Sequence, residues 1–296
     1  MSQSTVTAAK AGQDHTYQSS DDLTLHYVKY ARADGVPAIC LPGLSRNARD
    51  FSELASHLSA TRSVICPDFR GRGASDWDSD PSHYEPSIYV GDVLTLLDLR
   101  KLERVILIGT SLGGIVSAGL CQVTSQRIAG VVLNDIGPII DPVGLARIGK
   151  YMGAGTVWSG WDEAIATIRE INTVIYPTFT DAQWREFALQ TCRANPDGTV
   201  TQDCDPAIAQ AMAQNQITDL DLWPVFEALK PVPSLLLRGA LSDLLSKETA
   251  AEMTERLPGL DLVTVPNRGH VPTLTEPEAL SAIEAFVAKV DTLEDQ

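Results

Sequence analysis

The chain has 296 residues, an apolar content of 44% and a formal net charge of −15. This length can bury a large core, either as one α/β domain with an insertion or as two modest domains. The acidic balance argues against nucleic acid as a partner. No apolar run approaches the roughly 20 residues that span a bilayer, so no membrane partner is expected, and no feature indicates an oligomeric state.

The compartment is predicted from the N-terminus and the cysteines. The first residues, Met-Ser-Gln-Ser-Thr, carry neither the charged nor the apolar region of a secretory signal. The five cysteines follow no disulfide or metal-ligand spacing, and several lie within apolar segments. They are typical of reduced core residues in a cytoplasmic protein.

The first half of the chain alternates between apolar, β-branched runs and helical patterns. Residues 1–20 are polar and are expected to form a disordered tail. From residue 23 to residue 136 strands and helices alternate, as in a parallel sheet wound with helices. The sequence therefore predicts an α/β fold with a doubly wound, mostly parallel sheet, whose core begins with residues 21–137.

Gly137-Pro138 ends this alternation, and the pattern is helical up to Trp223-Pro224. Helices are predicted over residues 143–152, 162–172, 182–193 and 206–215. We expect residues 138–224 to form an inserted helical cap, and the core to resume over residues 225–296 with a terminal helix over 276–290. Four of the five tryptophans lie in or at the end of the expected cap, which predicts an apolar ceiling over a pocket.

A serine lies at the turn between a predicted strand and a predicted helix. Residues 105–114 read Val-Ile-Leu-Ile-Gly-Thr-Ser-Leu-Gly-Gly. In a strand–turn–helix setting, Gly-x-Ser-x-Gly places the serine on a strained corner with its hydroxyl exposed. The flanking glycines let strand and helix approach closely. Ser111 is therefore predicted to be a nucleophile, and the alternative is a glycine-rich packing turn.

A nucleophilic serine needs a base, and the chain has five histidines. His15, His26, His57 and His83 lie in settings typical of surface or packing residues. His270 differs because it follows the predicted strand over 260–265 in the loop Pro-Asn-Arg-Gly-His, after the serine in chain order. His270 is therefore the predicted base.

The orienting acid is expected between serine and histidine, because this fold commonly runs Ser…Asp/Glu…His along the chain. Asp243 follows the apolar strand over 232–237 and is the preferred acid. Asp135 also ends a strand and is the rival. A helix-capping role for Asp243 is the other alternative, since a helix opens just after it.

Two backbone N–H groups should face the developing oxyanion. Leu112, directly after the predicted nucleophile, would supply one of them. Leu44, after Pro42-Gly43 in the loop that follows an earlier strand, would supply the other.

The chain resembles the α/β-hydrolase superfamily, particularly its compact bacterial esterases and lactonases, from about residue 23 to residue 290. The resemblance rests on motifs in the expected order: Leu41-Pro42-Gly43-Leu44, Asp68-Phe69-Arg70-Gly71-Arg72-Gly73-Ala74-Ser75, Gly109-Thr110-Ser111-Leu112-Gly113-Gly114, Asp243 and Gly269-His270. The chain departs from the family in having Pro42-Gly43 where His-Gly is common. Epoxide hydrolases and haloalkane dehalogenases resemble it broadly but place an aspartate where Ser111 stands.

Three functions are compatible with these residues. The first is hydrolysis of carboxylic esters or lactones through an acyl-enzyme on the predicted serine, histidine and aspartate. The second is hydrolytic carbon–carbon cleavage of a diketone or vinylogous acid by the same three residues. The third is a small-ligand binding module with vestigial catalysis. No metal-binding or phosphate-loop motif is present, so no metal or cofactor is implied. The apolar cap and the lack of an obvious cationic clamp favour neutral esters of small to medium size as substrates.

Overall fold

The computed structural model describes residues 12–31, 35–152, 155–214 and 221–295. The strands in these ranges are β1 (Gln13–Gln18), β2 (Thr24–Tyr30), β3 (Ala38–Leu41), β4 (Val64–Pro67), β5 (Val105–Thr110), β6 (Ile128–Asn134), β7 (Val157–Trp158), β8 (Cys192–Ala194), β9 (Val200–Gln202), β10 (Ser234–Gly239) and β11 (Leu260–Val265). The α-helices are α1 (Ser52–Leu58), α2 (Pro86–Leu99), α3 (Leu112–Thr124), α4 (Pro142–Tyr151), α5 (Trp161–Asn172), α6 (Asp181–Thr191), α7 (Ala207–Gln214), α8 (Trp223–Phe226), α9 (Lys247–Arg256) and α10 (Pro277–Glu294).

Eight strands form one twisted sheet in the order β1-β2-β4-β3-β5-β6-β10-β11. The pairs from β4 to β11 are parallel, whereas β1 and β2 are antiparallel to their neighbours. Helices cover both faces, which confirms the predicted doubly wound, mostly parallel α/β fold. The carboxyl ends of β5, β6, β10 and β11 therefore lie side by side at one edge, where open α/β sheets bind ligands.

The central strands are apolar on both faces because each face is covered by helices. Every residue of β5 is buried. Leu107 packs into a core with residues of α2, α3 and α9. Its neighbours Ile106 and Ile108 point the other way, into a core with residues of α1 and α10. Because helices bury both faces of β5, the register of this strand is fixed, and so is the position of Ser111, which follows it.

The N-terminal prediction is wrong in part. Residues 13–18, placed in the expected tail, form β1 and pair antiparallel with β2 from Gln13 opposite Lys29 to Gln18 opposite Thr24. Because β1 is an edge strand with mostly exposed side chains, its polar sequence lacks the apolar alternation that would have indicated a strand. Residues 1–11 of that expected tail lie outside the described residues.

Between β6 and β10 the chain leaves the large sheet, and we call residues 138–224 the inserted segment. The predicted helices appear as α4, α5, α6 and α7, with residue 215 outside the described part. The segment also contains an antiparallel sheet in the order β7-β9-β8, whose strands of two or three residues are too short for a recognisable pattern. No helix in the described ranges is long and apolar enough to cross a membrane.

The inserted segment has its own apolar core. Trp158 and Trp184 are buried there together with Tyr176 and Phe187, and Trp184 meets Phe187 edge-on with ring centroids 6.2 Å apart. Trp223 packs instead into the core of the large sheet. Trp158 and Trp184 therefore help to hold the inserted helices together. None of the four tryptophans lines the cavity beside Ser111 that is described below, so the apolar ceiling predicted from them is wrong in its residues.

Candidate active site

Ser111 lies at the tight turn between β5 and α3. Its backbone has φ of 51° and ψ of −113°, a left-handed conformation that costs a non-glycine residue energy. The chain can turn this sharply only because its neighbours lack side chains. A Cβ on Gly109 would lie 2.4 Å from the carbonyl oxygen of Gly113, and one on Gly113 would lie 2.0 Å from that of Leu41. This geometry holds the Ser111 hydroxyl at the carboxyl edge of the sheet.

His270 reaches Ser111 from the loop after β11. Its Nε2 lies 3.0 Å from the Ser111 Oγ, and the residue is almost fully buried. The inserted segment holds this loop on both sides of the histidine. The Gly269 N–H donates to the carbonyl of Ile175 at 2.8 Å, and the Tyr176 hydroxyl donates to the carbonyl of Val271 at 2.7 Å. The imidazole is thereby fixed against the serine.

Asp135 occupies the other side of the imidazole. His270 Nδ1 lies 2.9 Å from Asp135 Oδ2, and Asp135 has no solvent exposure. The carboxylate also accepts the Gly239 N–H at 2.8 Å and the Ser242 hydroxyl at 2.6 Å. A buried carboxylate needs such donors to be held in place. In the neutral imidazole, an Nδ1–H that donates to this carboxylate leaves the lone pair of Nε2 directed at Ser111.

The predicted pairing of His270 with Asp243 is wrong. The Asp243 carboxylate instead accepts two bonds from Arg147, at 2.6 Å from Nε and 3.0 Å from Nη2. Burial raises the pKa of Asp243, but Arg147 outweighs burial and holds that pKa below its ordinary value. The capping alternative is also not observed, because Ser246 caps α9 by accepting the Thr249 N–H.

Contacts at the start of α4 explain why the Asp243 carboxylate is bound by Arg147 and not by His270. The Gly144 N–H donates to the Asp243 carbonyl at 2.9 Å, and a Cβ on Gly144 would lie 2.5 Å from that same oxygen. Asp141, which caps α4, donates its own N–H to the carbonyl of Leu244 at 2.9 Å. The inserted segment therefore docks on the loop after β10, and Arg147 covers the carboxylate.

A cavity of about 80 Å³ opens beside Ser111 and His270. The residues around it are Gly43, Leu44, Ser45, Arg46, Thr110, Ser111, Arg147, Ile148, Asn172, Ile175, Tyr176, Phe187, His270 and Val271. The loop after β3 thus contributes four consecutive residues that include Arg46, and the inserted segment contributes four apolar or aromatic residues, Asn172 and Arg147. The sequence offers no obvious cationic clamp, but in the structure Arg46 and Arg147 both line the cavity.

The two predicted oxyanion donors lie on different elements. Leu44 lines the cavity, and its carbonyl accepts the Nε–H of the fully buried Arg72 at 2.9 Å. Leu112 is the first residue of α3, directly after Ser111. Their role toward an oxyanion remains a prediction.

One group of side chains in the described ranges has the spacing of a metal site. Asp21, Asp78 and His83 place ligand atoms within 4.8 Å of one another. Arg70, however, donates to both carboxylates at 2.6 to 3.0 Å, so a guanidinium already supplies the positive charge there. None of the three lines the cavity beside Ser111.

Comparison with known proteins adds independent findings. The profile of the Alpha/beta hydrolase family matches residues 38–283. A 3-hydroxybutyrate-oligomer hydrolase of Cupriavidus necator is 35% identical over 84% of this chain and 87% of that protein. A 2-(acetamidomethylene)succinate hydrolase of Mesorhizobium japonicum is 28% identical, covering 95% of this chain and 98% of that protein.

Among solved structures, an alpha/beta hydrolase from Novosphingobium aromaticivorans is 41% identical, with a TM-score of 0.89 over 94% of this chain and 98% of that one. The similarity therefore extends over sequence, fold and nearly the full length of the relatives. The chain belongs to the alpha/beta hydrolase family and is an enzyme of that fold.

Proposed function

We propose that this enzyme hydrolyses carboxylic esters through a covalent acyl-enzyme on Ser111. The observation that carries the proposal is the unbroken contact from Asp135 through His270 to Ser111, at 2.9 and 3.0 Å, beside a cavity. A nucleophile within reach of a base that is oriented by a third group is the signature of covalent catalysis. The same contact chain argues against the binding-module alternative.

Each residue has a separate task in the proposed reaction. His270 Nε2 takes the proton as Ser111 Oγ attacks the ester carbonyl, and the N–H groups of Leu44 and Leu112 stabilise the oxyanion. His270 then gives the proton to the departing alcohol, leaving an acyl group on Ser111. Water activated by His270 releases the acid in a second step. Asp135 holds the imidazole tautomer and stabilises the imidazolium.

Esters of hydroxy acids are the favoured substrate class. The Cupriavidus necator relative is named for 3-hydroxybutyrate oligomers, and the units of such an oligomer are joined by ester bonds. That relative covers most of this chain at 35% identity, which supports ester hydrolysis over carbon–carbon cleavage on the same residues.

Covalent labelling tests the nucleophile directly. The full chain is treated with a fluorophosphonate, digested and analysed by mass spectrometry, alongside turnover of p-nitrophenyl acetate and butyrate and of a 3-hydroxybutyrate dimer. We expect a single label on Ser111 and ester turnover, both abolished in Ser111→Ala.

Two results would contradict the proposal. Absence of labelling in folded protein would remove Ser111 as the nucleophile. Labelling without turnover of any ester, together with cleavage of a β-diketone, would assign the residues to carbon–carbon hydrolysis.

A further inference from the structure

The cavity beside Ser111 is lined by two arginines, although the protein as a whole is acidic. The chain has a net charge of −15, yet the cavity beside Ser111 is lined by Arg46 and Arg147. No aspartate or glutamate is among its lining residues in the described part of the chain. The carboxylates that pair with the two arginines, Asp50 and Asp243, also stay outside that lining. An anion in the cavity would therefore meet two guanidinium groups and no carboxylate among the lining residues of the described ranges.

Arg147 is fixed at the wall of this cavity. Its Nε and Nη2 are bound by Asp243, and Nη2 also donates to the His270 carbonyl at 3.3 Å. The side chain is 14% exposed. A guanidinium held this way is oriented before a ligand arrives, so little rotamer entropy is lost on binding.

The Nη1 group of Arg147 can bind a ligand. Nη1 carries two hydrogens, and within the described ranges its one contact is the Asn172 Oδ1 at 3.5 Å, at the outer limit of a hydrogen bond. Arg147 and Asn172 both line the cavity together with Ser111. A ligand oxygen can thus bind Nη1 while the ester carbonyl lies at the nucleophile.

Arg46 adds a second positive charge on the loop after β3. Its Nε and Nη2 bind Asp50 at 2.6 and 2.7 Å, and its guanidinium carbon lies 4.3 Å from the centre of the Phe187 ring. Ile148 and Ile175 line the same cavity and offer apolar contact to a short carbon chain.

We propose that Arg147 binds a carboxylate of the substrate, so that the preferred substrates are short esters with a free acid group, such as oligomers of a small hydroxy acid. This inference rests on the proposed ester hydrolysis and names the substrate class for the same site. A carboxylate matches it because Nη1 is a charged donor, and a hydrogen bond between a guanidinium and an anionic oxygen is stronger than one to a neutral oxygen.

The test compares two substrates that differ in one charge. They are the 3-hydroxybutyrate dimer as free acid and its terminal carboxamide, which has the same ester bond and nearly the same size. We expect kcat/KM of the natural protein to be roughly 10- to 100-fold higher for the acid, the range of a hydrogen bond to a charged group.

Removing Arg147 alone would leave Asp243 unpaired beside His270, so the main variant is Arg147→Gln with Asp243→Asn. We expect the acid-to-amide ratio of kcat/KM to fall close to 1 in this double variant. Asp243→Asn alone removes the neutralising charge but keeps an amide oxygen that can accept a bond from Arg147 and hold it in place, and we expect it to raise the ratio above that of the natural protein. Arg169→Gln breaks an exposed ion pair with Asp181 on the same segment and should leave the ratio unchanged.

The inference is overturned if the natural protein treats acid and amide alike, or if the double variant keeps the natural ratio. Should the double variant fail to fold, Asp243→Asn still decides, because an unchanged or lower ratio contradicts the proposal. These outcomes differ from failure of the proposed function, which would show no label on Ser111 and no turnover of either substrate.

Discussion

Two aspartates follow neighbouring strands of the sheet, and they have different surroundings. Asp135 follows β6 directly, and Asp243 comes four residues after the end of β10. The Asp135 carboxylate is fully buried and contacts His270. The Asp243 side chain is 21% exposed and is bound by Arg147. Either residue could have held the histidine on grounds of chain order and sheet edge.

The difference lies in what fixes each backbone. The Asp135 N–H donates to the carbonyl of Leu237 at 2.8 Å, so this residue is still held by the sheet and its side chain is aimed from a rigid element. Asp243 lies on a loop whose neighbouring groups bond to α4, and its partner Arg147 comes from the inserted segment. The comparison indicates that tertiary contacts, and not the order of residues along the chain, select the aspartate that contacts His270.

The largest effect on kcat/KM is expected when each aspartate is replaced by asparagine and the two variants are compared. Asp135→Asn keeps the shape of the side chain but accepts poorly from Nδ1, so the imidazole loses the tautomer that activates Ser111. We expect kcat/KM for p-nitrophenyl butyrate to fall about 10⁴-fold. Asp243→Asn should cost less than about tenfold, and the opposite ranking would show that Asp243 is the acid.

A smaller effect is expected at the residue that links the two loops. The Ser242 hydroxyl donates to Asp135, and its oxygen accepts the Leu245 N–H at 3.0 Å. Ser242→Ala should lower kcat/KM by about tenfold, because a charged carboxylate loses one of its donors. Ser246→Ala removes the cap of α9 and serves as control. It should lower the free energy of unfolding by about 1 kcal/mol without affecting kcat/KM. Equal kinetic effects of the two variants would contradict a positioning role for Ser242.

The smallest effect concerns the stability of the Asp243–Arg147 pair. Because the folded protein lowers the pKa of Asp243, the pair stabilises the fold above the unfolded pKa of roughly 3.9. That contribution declines as the pH falls below about 5 and is lost as the pH falls through the lowered pKa. Urea unfolding should show natural protein and Asp243→Asn differing by about 1 kcal/mol at pH 7 and by less at pH 4. A difference that grows on acidification would contradict the lowered pKa.

Local patterns predicted much of the fold and part of the site. The apolar run before Gly109 and the glycines around Ser111 predicted the turn, because sterics within a few residues determine it. The position of His270 followed from the strand before it. The contact of Asp135 with that histidine depends on strand order in space and on an arginine 96 residues before Asp243, which no local pattern contains.

The inserted segment was harder to predict for the same reason. Amphipathic periodicity indicated its helices, but the burial of Trp158 and Trp184 within it depends on how those helices pack together. Arg147 lies in a predicted helix with nothing in its neighbourhood to show that it faces a cavity. Contacts between segments distant in sequence decide both features.

The NMR resonance of the proton on His270 Nδ1 is the most direct test of the assignment of Asp135 as the partner of His270. A hydrogen bond to a buried carboxylate should move its NMR resonance far downfield of the backbone amide protons. We predict this resonance in the natural protein and in Asp243→Asn, and its loss or a marked upfield shift in Asp135→Asn, with circular dichroism confirming that each variant is folded. Persistence of the resonance in Asp135→Asn and its loss in Asp243→Asn would contradict the assignment of Asp135.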